Sequence, residues 1–278
     1  MRNIILLFVS MLTVAVYGQN FQGKATYKTH RNMDIKVSSG DNAPNSDIQK
    51  KLHERMKKMF QKTYTLAFNK SVSTYTQNKE LEPEVNSGGV QIMMFGNGGG
   101  NDVLYKDVLH KEYINKTEIS GKRFLIEDTL PETPWEMTSE TKKIGNYTCY
   151  KATRSREEEQ RSFTMTDGEQ EESTKTVTIT TEAWYTPQIP VSNGPGMYWG
   201  LPGLILEIHE GKQTIVCTEI VLNPSEKIEI KKPRKGKKVS QEKFDKIMEE
   251  KTEEMMERFK NNRKTKGNGE SISIEIRG

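Results

Sequence analysis

Gly194-Pro195-Gly196-Met197-Tyr198-Trp199-Gly200-Leu201-Pro202-Gly203 runs directly into Leu204-Ile205-Leu206-Glu207-Ile208. The first ten residues include four glycines, two prolines and two large aromatics, a mixture that suits neither a helix nor a regular strand. The five that follow are apolar except for Glu207 and read as a strand covered on both faces. Pro202 and Gly203 fit the two central positions of a type II turn, with Gly203 supplying a positive φ. Pro202 also drives Leu201 into extended backbone. Two roles are open for this corner. Gly200, Pro202 and Gly203 form a rigid turn, with Tyr198 and Trp199 capping the core beside Trp184 of the preceding strand. Alternatively, Trp184, Tyr198, Trp199 and Leu201 wall an aromatic ligand pocket.

Outward from this corner, the chain reads as short strands joined by short turns. Strands are expected at Val103–Val108, Lys111–Ile119, Lys122–Glu127, Thr148–Arg154, Thr174–Tyr185, Leu204–His209, Gln213–Leu222 and Lys227–Lys231. Earlier ones are expected at 21–37, 64–68 and 71–76. Pairs such as Ser120-Gly121, Glu210-Gly211 and Asn223-Pro224 mark turns. Repeated strands with short links imply an antiparallel sheet, not βαβ units. Glu157–Ser173 is a polar, acidic run that reads as a protruding hairpin or loop.

Two segments break the strand pattern. Ser46 and Gln49 form a capping box ahead of Ile48, Leu52, Met56, Met59 and Phe60, which share one helical face over 46–60. Residues 240–262 repeat the pattern with Phe244, Ile247, Met248, Met255 and Phe259 on one side and mixed charges on the other. The fold class is therefore mainly β (α+β): a curved antiparallel sheet or half-barrel meander with two packed amphipathic helices. It occupies 19–230. The remainder, 231–278, is a basic linker at 231–238, the charged helix 240–262 and an alternating strand at 271–276. The glycine-rich stretch 96–102 matches neither a phosphate-binding nor a calcium-binding spacing and reads as a surface loop.

The chain is 33% hydrophobic and 29% charged, with a net charge of +4. That composition gives a thin core and a mixed surface, without the basic footprint of a nucleic-acid binder. Arg2, an apolar run over residues 4–16, and Val16-Tyr17-Gly18 together read as a signal peptide at 1–18, cleaved before Gln19. No other long apolar run follows, so no transmembrane span is expected after cleavage. In an oxidising compartment Cys149 and Cys217 are either a disulfide or two separate buried thiols. The four histidines, His30, His53, His110 and His209, lack metal-ligand spacing, and no nucleophile elbow is present. No catalytic residue, metal or cofactor is assigned.

Gly200-Leu201-Pro202-Gly203-Leu204-Ile205 spells GLPGLI and resembles the signature of the GLPGLI family of exported Bacteroidota proteins. Residues 143–153 and Ala183–Pro190 resemble the blocks that precede it, so the likeness covers about residues 135–222. It implies an exported β-rich protein, periplasmic or at the cell surface, and no particular activity. Asp128-Thr129-Leu130 also resembles the O-glycosylation sequon of that bacterial group, with Thr129 as the acceptor. The leading expectation is a non-enzymatic envelope protein that binds an apolar or peptide-like ligand or an envelope partner. The alternatives are an exported hydrolase working through carboxylates, and a structural or adhesive surface protein.

Overall fold

The computed structural model describes residues 21–31, 61–78, 102–119, 121–132, 134–166 and 169–265. The strands are β1 Gln22–Arg31, β2 Lys62–Asn69, β3 Val72–Gln77, β4 Val103–Asp107, β5 Glu112–Ile119 and β6 Lys122–Thr129. They continue with β7 Glu136–Ile144, β8 Tyr147–Thr166, β9 Glu169–Thr186, β10 Leu204–Glu210, β11 Gln213–Leu222 and β12 Lys237–Val239. One helix, α1, spans Gln241–Thr265. All twelve strands join one sheet, ordered β12-β6-β5-β4-β3-β2-β1-β11-β10-β9-β8-β7. Every pairing is antiparallel except β12 on β6. The sheet is thus two meanders, β1–β6 and β7–β11, joined where β1 pairs with β11.

The link from β6 to β7 curls the sheet. In a flat sheet these two strands would stand ten spacings apart, about 48 Å. Residues 130–135 reach at most about 25 Å. The sheet therefore bends round until its ends approach, and it stays open because β6 and β7 do not pair. Strand alternation then sorts side chains by face. Tyr27, Leu66, Phe68, Phe124 and Ile126 point into the concavity and are buried. Tyr105, Ile114 and Leu125 point outward and form a second cluster with Val72 and Ile230.

Several expectations change. Of the two packed helices expected, the described residues contain one; segment 46–60 lies outside them, as do 1–18, 96–101 and 271–276. Ser240 caps α1, accepting the Lys243 N–H at 3.3 Å, and Asp128 accepts the Gln241 N–H at 3.0 Å. Phe244 meets Phe124 edge-on with ring centroids 5.6 Å apart, seating the first turns of α1 on the sheet.

Lys227–Lys231 is not a strand, and 231–238 is not a free linker. Residues 224–236 cross the outer face of β1 to β6 as a strap. Ile228 and Ile230 turn inward while the lysines stay exposed. The strap ends in β12, which pairs with Phe124–Ile126 at the sheet edge. An apolar residue at every second position made this segment look like a strand; its partner is the flat of the sheet, not an edge. β7 was missed because its residues are polar and exposed, as befits an edge strand. The acidic run 157–173 is part of the long β8–β9 hairpin, paired as far as Thr166 and Glu169.

Candidate functional site

Residues 187–203, between β9 and β10, enter the concavity as a plug. This segment forms no ladder of its own, yet much of it is buried: Ile189, Val191, Asn193 and Leu201 are at most 1% exposed. Buried backbone must find partners. Three tight turns supply some, with Val191, Asn193 and Gly203 each donating to the carbonyl two residues back, all at 2.8 Å. Prolines 190 and 202 sit at the centres of two of these turns, where their fixed φ and missing N–H cost nothing. Leu204 N–H donates to Ile189 O at 3.0 Å, and Ile205 N–H to Asn193 O at 3.0 Å, which closes the base of the plug onto β10.

The sheet supplies the remaining donors. Lys106, on the inward face of β4, is fully buried and points its Nζ at Gly194 O (2.8 Å) and Tyr198 O (3.1 Å). Tyr27 of β1 donates to Ile205 O at 2.7 Å. Trp135, just before β7, donates to Trp199 O at 2.8 Å, while Trp199 donates to Pro131 O at 3.0 Å. Ser73 of β3 reaches Asn193 Oδ1 at 3.3 Å. Among the described residues, Asn193 Nδ2 is buried without a hydrogen-bond partner. Burial pushes the Lys106 amine down to about 7.

At the lower rim of the plug, the Arg154 guanidinium lies between the Trp135 and Tyr198 rings, 4.9 and 5.2 Å from their centroids. Arg156 grips Glu210 with two hydrogen bonds, 2.8 and 3.1 Å, and Thr181 donates to the same carboxylate. Burial pushes Glu210 up, but the hydrogen bonds from Arg156 and Thr181 outweigh it and hold the group below the usual glutamate range. Burial and the nearby Glu210 raise Tyr198.

The nominated pocket residues do not converge. Tyr198, Trp199 and Leu201 lie together in the plug. Trp184 belongs to the opposite face of β9, since Thr181 and Ala183 share the inward face with Arg154 and Glu210. There its indole donates to Glu182 at 2.7 Å, and Lys142 sits 4.2 Å from its ring centroid. Lys142 also pairs with Glu207 at 2.7 Å.

The turn differs as well. Gly203 does not have a positive φ; Gly200 does, at 95°. The reason for glycine at 203 is close approach. A Cβ there would lie 2.2 Å from Thr186 O and 2.5 Å from Thr186 C. Cys149 and Cys217 are free, buried thiols on β8 and β11, the second of the two states left open by the sequence. Burial raises them to about 11 and about 12. Thr129 is exposed at the end of β6. Among the described residues no three His, Cys, Asp or Glu side chains gather as a metal site.

Sequence reasoning missed Lys106, Trp135, Arg154, Asn193 and Glu210. For Lys106 and Arg154 a signal existed: each falls in phase with buried residues of its strand, Leu104 and Ala152.

A family model described as "Protein of unknown function (Porph_ging)" matches residues 135–207, which run from Trp135 through β7, β8, β9 and the plug into β10. The domain is named for Porphyromonas gingivalis, which fits a Bacteroidota family. No curated protein matches the chain. Among solved structures, two of PNGF-II in different space groups are similar, each at 14% identity, with TM-scores of 0.45 and 0.46. The alignments cover 82% of this chain and 32% and 33% of those chains, so this chain spans about a third of their length. No helix among the described residues is long and apolar enough to cross a membrane.

Proposed function

We propose that this protein is an exported, non-enzymatic member of the GLPGLI family that binds a protein or peptide partner of the bacterial envelope through its outer surfaces. The observation that carries this reading is the plug. Tyr198, Trp199 and Leu201, the residues best suited to grip an apolar ligand, are spent on the protein's own core. Trp199 is 8% exposed with its indole N–H bonded, and Leu201 is fully buried. The half-buried carboxylates Glu207 and Glu210 are each held by a cation, a poor starting state for acid–base chemistry. The apolar run and cleavage pattern of residues 1–18 support export to the periplasm or the cell exterior.

The test is purification of the intact protein from native envelope under non-denaturing conditions, with intact-mass analysis of whatever accompanies it. A stoichiometric polypeptide partner is the expected result. A lipid or other small apolar molecule retained in a one-to-one ratio, and lost in Trp199→Ala under conditions where the variant stays folded, overturns the reading.

A further inference from the structure

The β8–β9 hairpin outruns the sheet. β7 pairs with β8 only as far as Thr153, and β10 pairs with β9 only from Thr181 onward. Between Ser155 and Thr180 the two strands pair only with each other among the described residues. Twelve residues on each side make an arm about 40 Å long. Its root is fixed by the Arg156–Glu210 pair. A free two-stranded ribbon is marginal on its own in water, because neither face is covered.

The arm is acidic: seven Asp or Glu against three Lys or Arg between Ser155 and Thr180. Glu157 and Glu159 are exposed at its base. The strap has the opposite character, with seven basic residues against one acidic between Lys227 and Lys238. All seven are exposed, because Ile228, Ile230 and Val239 take the inward positions and anchor the segment to the sheet. The positive charge is therefore displayed on a fixed surface rather than a floppy tail. Among the described residues, Glu229 pairs with Lys231 and Glu127 with Lys238, which leaves most of the strap's positive charge unpaired by carboxylates.

We infer that the acidic β8–β9 arm of one copy docks on the basic strap 227–238 of a second copy, so that the protein self-associates. One face of the arm, about 40 Å by 10 Å, offers on the order of 400 Å², half of what each partner buries in a standard interface. Two copies exchanging arms make this contact twice and reach the usual area. The contact is thus reciprocal and closes as a dimer. This inference does not depend on the envelope-partner reading, and either can fail without the other.

Sedimentation of the full chain at tens of micromolar in 50 mM salt should show a dimer, weakening at least tenfold in 500 mM salt as the charges are screened. Two charge-reversed variants sharpen the test. Glu157, Glu159 and Glu172→Lys reverses the arm face that these three share by register; Lys231, Lys232, Arg234 and Lys235→Glu reverses the strap. Each alone should be monomeric with an unchanged circular dichroism spectrum. An equimolar mixture should form a heterodimer by native mass spectrometry, because both exchanged contacts regain opposite charges. Should a reversed variant misfold, replacing residues 158–177 with Asn-Gly removes the arm without adding charge, and this shortened chain should be monomeric. The inference is overturned if the wild-type chain is monomeric at low salt, including the case where it binds anionic vesicles instead. It is equally overturned if a folded variant dimerises as wild type does, or if the mixture stays monomeric.

Discussion

Replacing Lys106 with methionine removes a buried amine while keeping the length of the side chain. In the folded protein this amine faces two carbonyls, Gly194 O and Tyr198 O, and burial pushes it down to about 7 from 10.5. A neutral amine has two N–H groups, which matches those two acceptors. The sign of the pH effect follows. Between pH 7 and 10.5 the unfolded chain holds a proton on Lys106 that the folded protein has released. Raising the pH reduces the cost of that release, so stability rises with pH across this window. Below pH 7 the full penalty of burying the charge applies, and above 10.5 it vanishes. From pH 7.5 to 9.0 the gain is about 2 kcal/mol for one such group.

Other groups titrate in the same range. The buried thiols Cys149 and Cys217, raised to about 11 and about 12, act in the opposite sense above their unfolded values. Both are common to wild type and Lys106→Met, so the quantity to follow is the stability difference between the two proteins. Urea unfolding at pH 7.5 and 9.0, with equal m-values, measures it. The difference should move by about 2 kcal/mol in favour of wild type at the higher pH. At either pH, Lys106→Met leaves two plug carbonyls without donors, a cost of about 1–3 kcal/mol each, partly offset at low pH by removal of the buried charge. A difference that stays constant within about 0.5 kcal/mol, below the resolution of additive effects, would show that the amine is solvated or paired, and the placement of a buried Lys106 amine on the Gly194 and Tyr198 carbonyls would have to be abandoned.

Three further outcomes test the packing of the plug. Gly203→Ala drives a Cβ into the Thr186 carbonyl and should cost about 3 kcal/mol or more, whereas Gly200→Ala, strained by its φ of 95°, should cost about 1–2 kcal/mol; thermal unfolding giving the reverse order contradicts the close-approach assignment. Trp199→Phe deletes the hydrogen bond to Pro131 O and should lower stability by about 1–2 kcal/mol, read by urea unfolding; no change would mean that the indole N–H is not bonded. Alkylation without reductant should leave Cys149 and Cys217 unmodified in the native protein and modify both after denaturation, so a mass showing no adducts in denaturant would establish a bridge instead.

The strands were legible because their signal is local. Gln213–Leu222 carries its alternation and its Gly211 turn within a dozen residues, and the observed β11 has the same bounds. Sheet order is another matter. That β1 pairs with β11 is a contact across almost two hundred residues, and no local pattern encodes it. The curl was nonetheless latent in the brevity of 130–135, once β6 and β7 were known to lie at opposite ends of the sheet.

The candidate site failed in a more instructive way. Trp184 was grouped with Tyr198 and Trp199 because all three are aromatic and near in sequence, yet strand parity alone separates them. Trp184 is out of phase with Ala183 and Tyr185, and a change of one residue is a change of face.

The plug's shortage of backbone donors explains why a lysine belongs in this core. The plug has many buried carbonyls and too few backbone donors, because prolines 187, 190, 195 and 202 supply none. Its geometry therefore demands side-chain donors from the surrounding wall. Lys106 of β4 and Trp135 before β7 are those donors, while Tyr27 of β1 bonds the Ile205 carbonyl where the plug enters β10 and Ser73 of β3 bonds the Asn193 side chain. Lys106 and Trp135 carry their N–H groups far enough from the backbone to reach the plug carbonyls. The proline-rich corner and the buried amine are thus two halves of one requirement. A proline-to-alanine change at 202 would restore a backbone donor and loosen the turn, but it would not relieve the need for Lys106, whose acceptors are the carbonyls of residues 194 and 198.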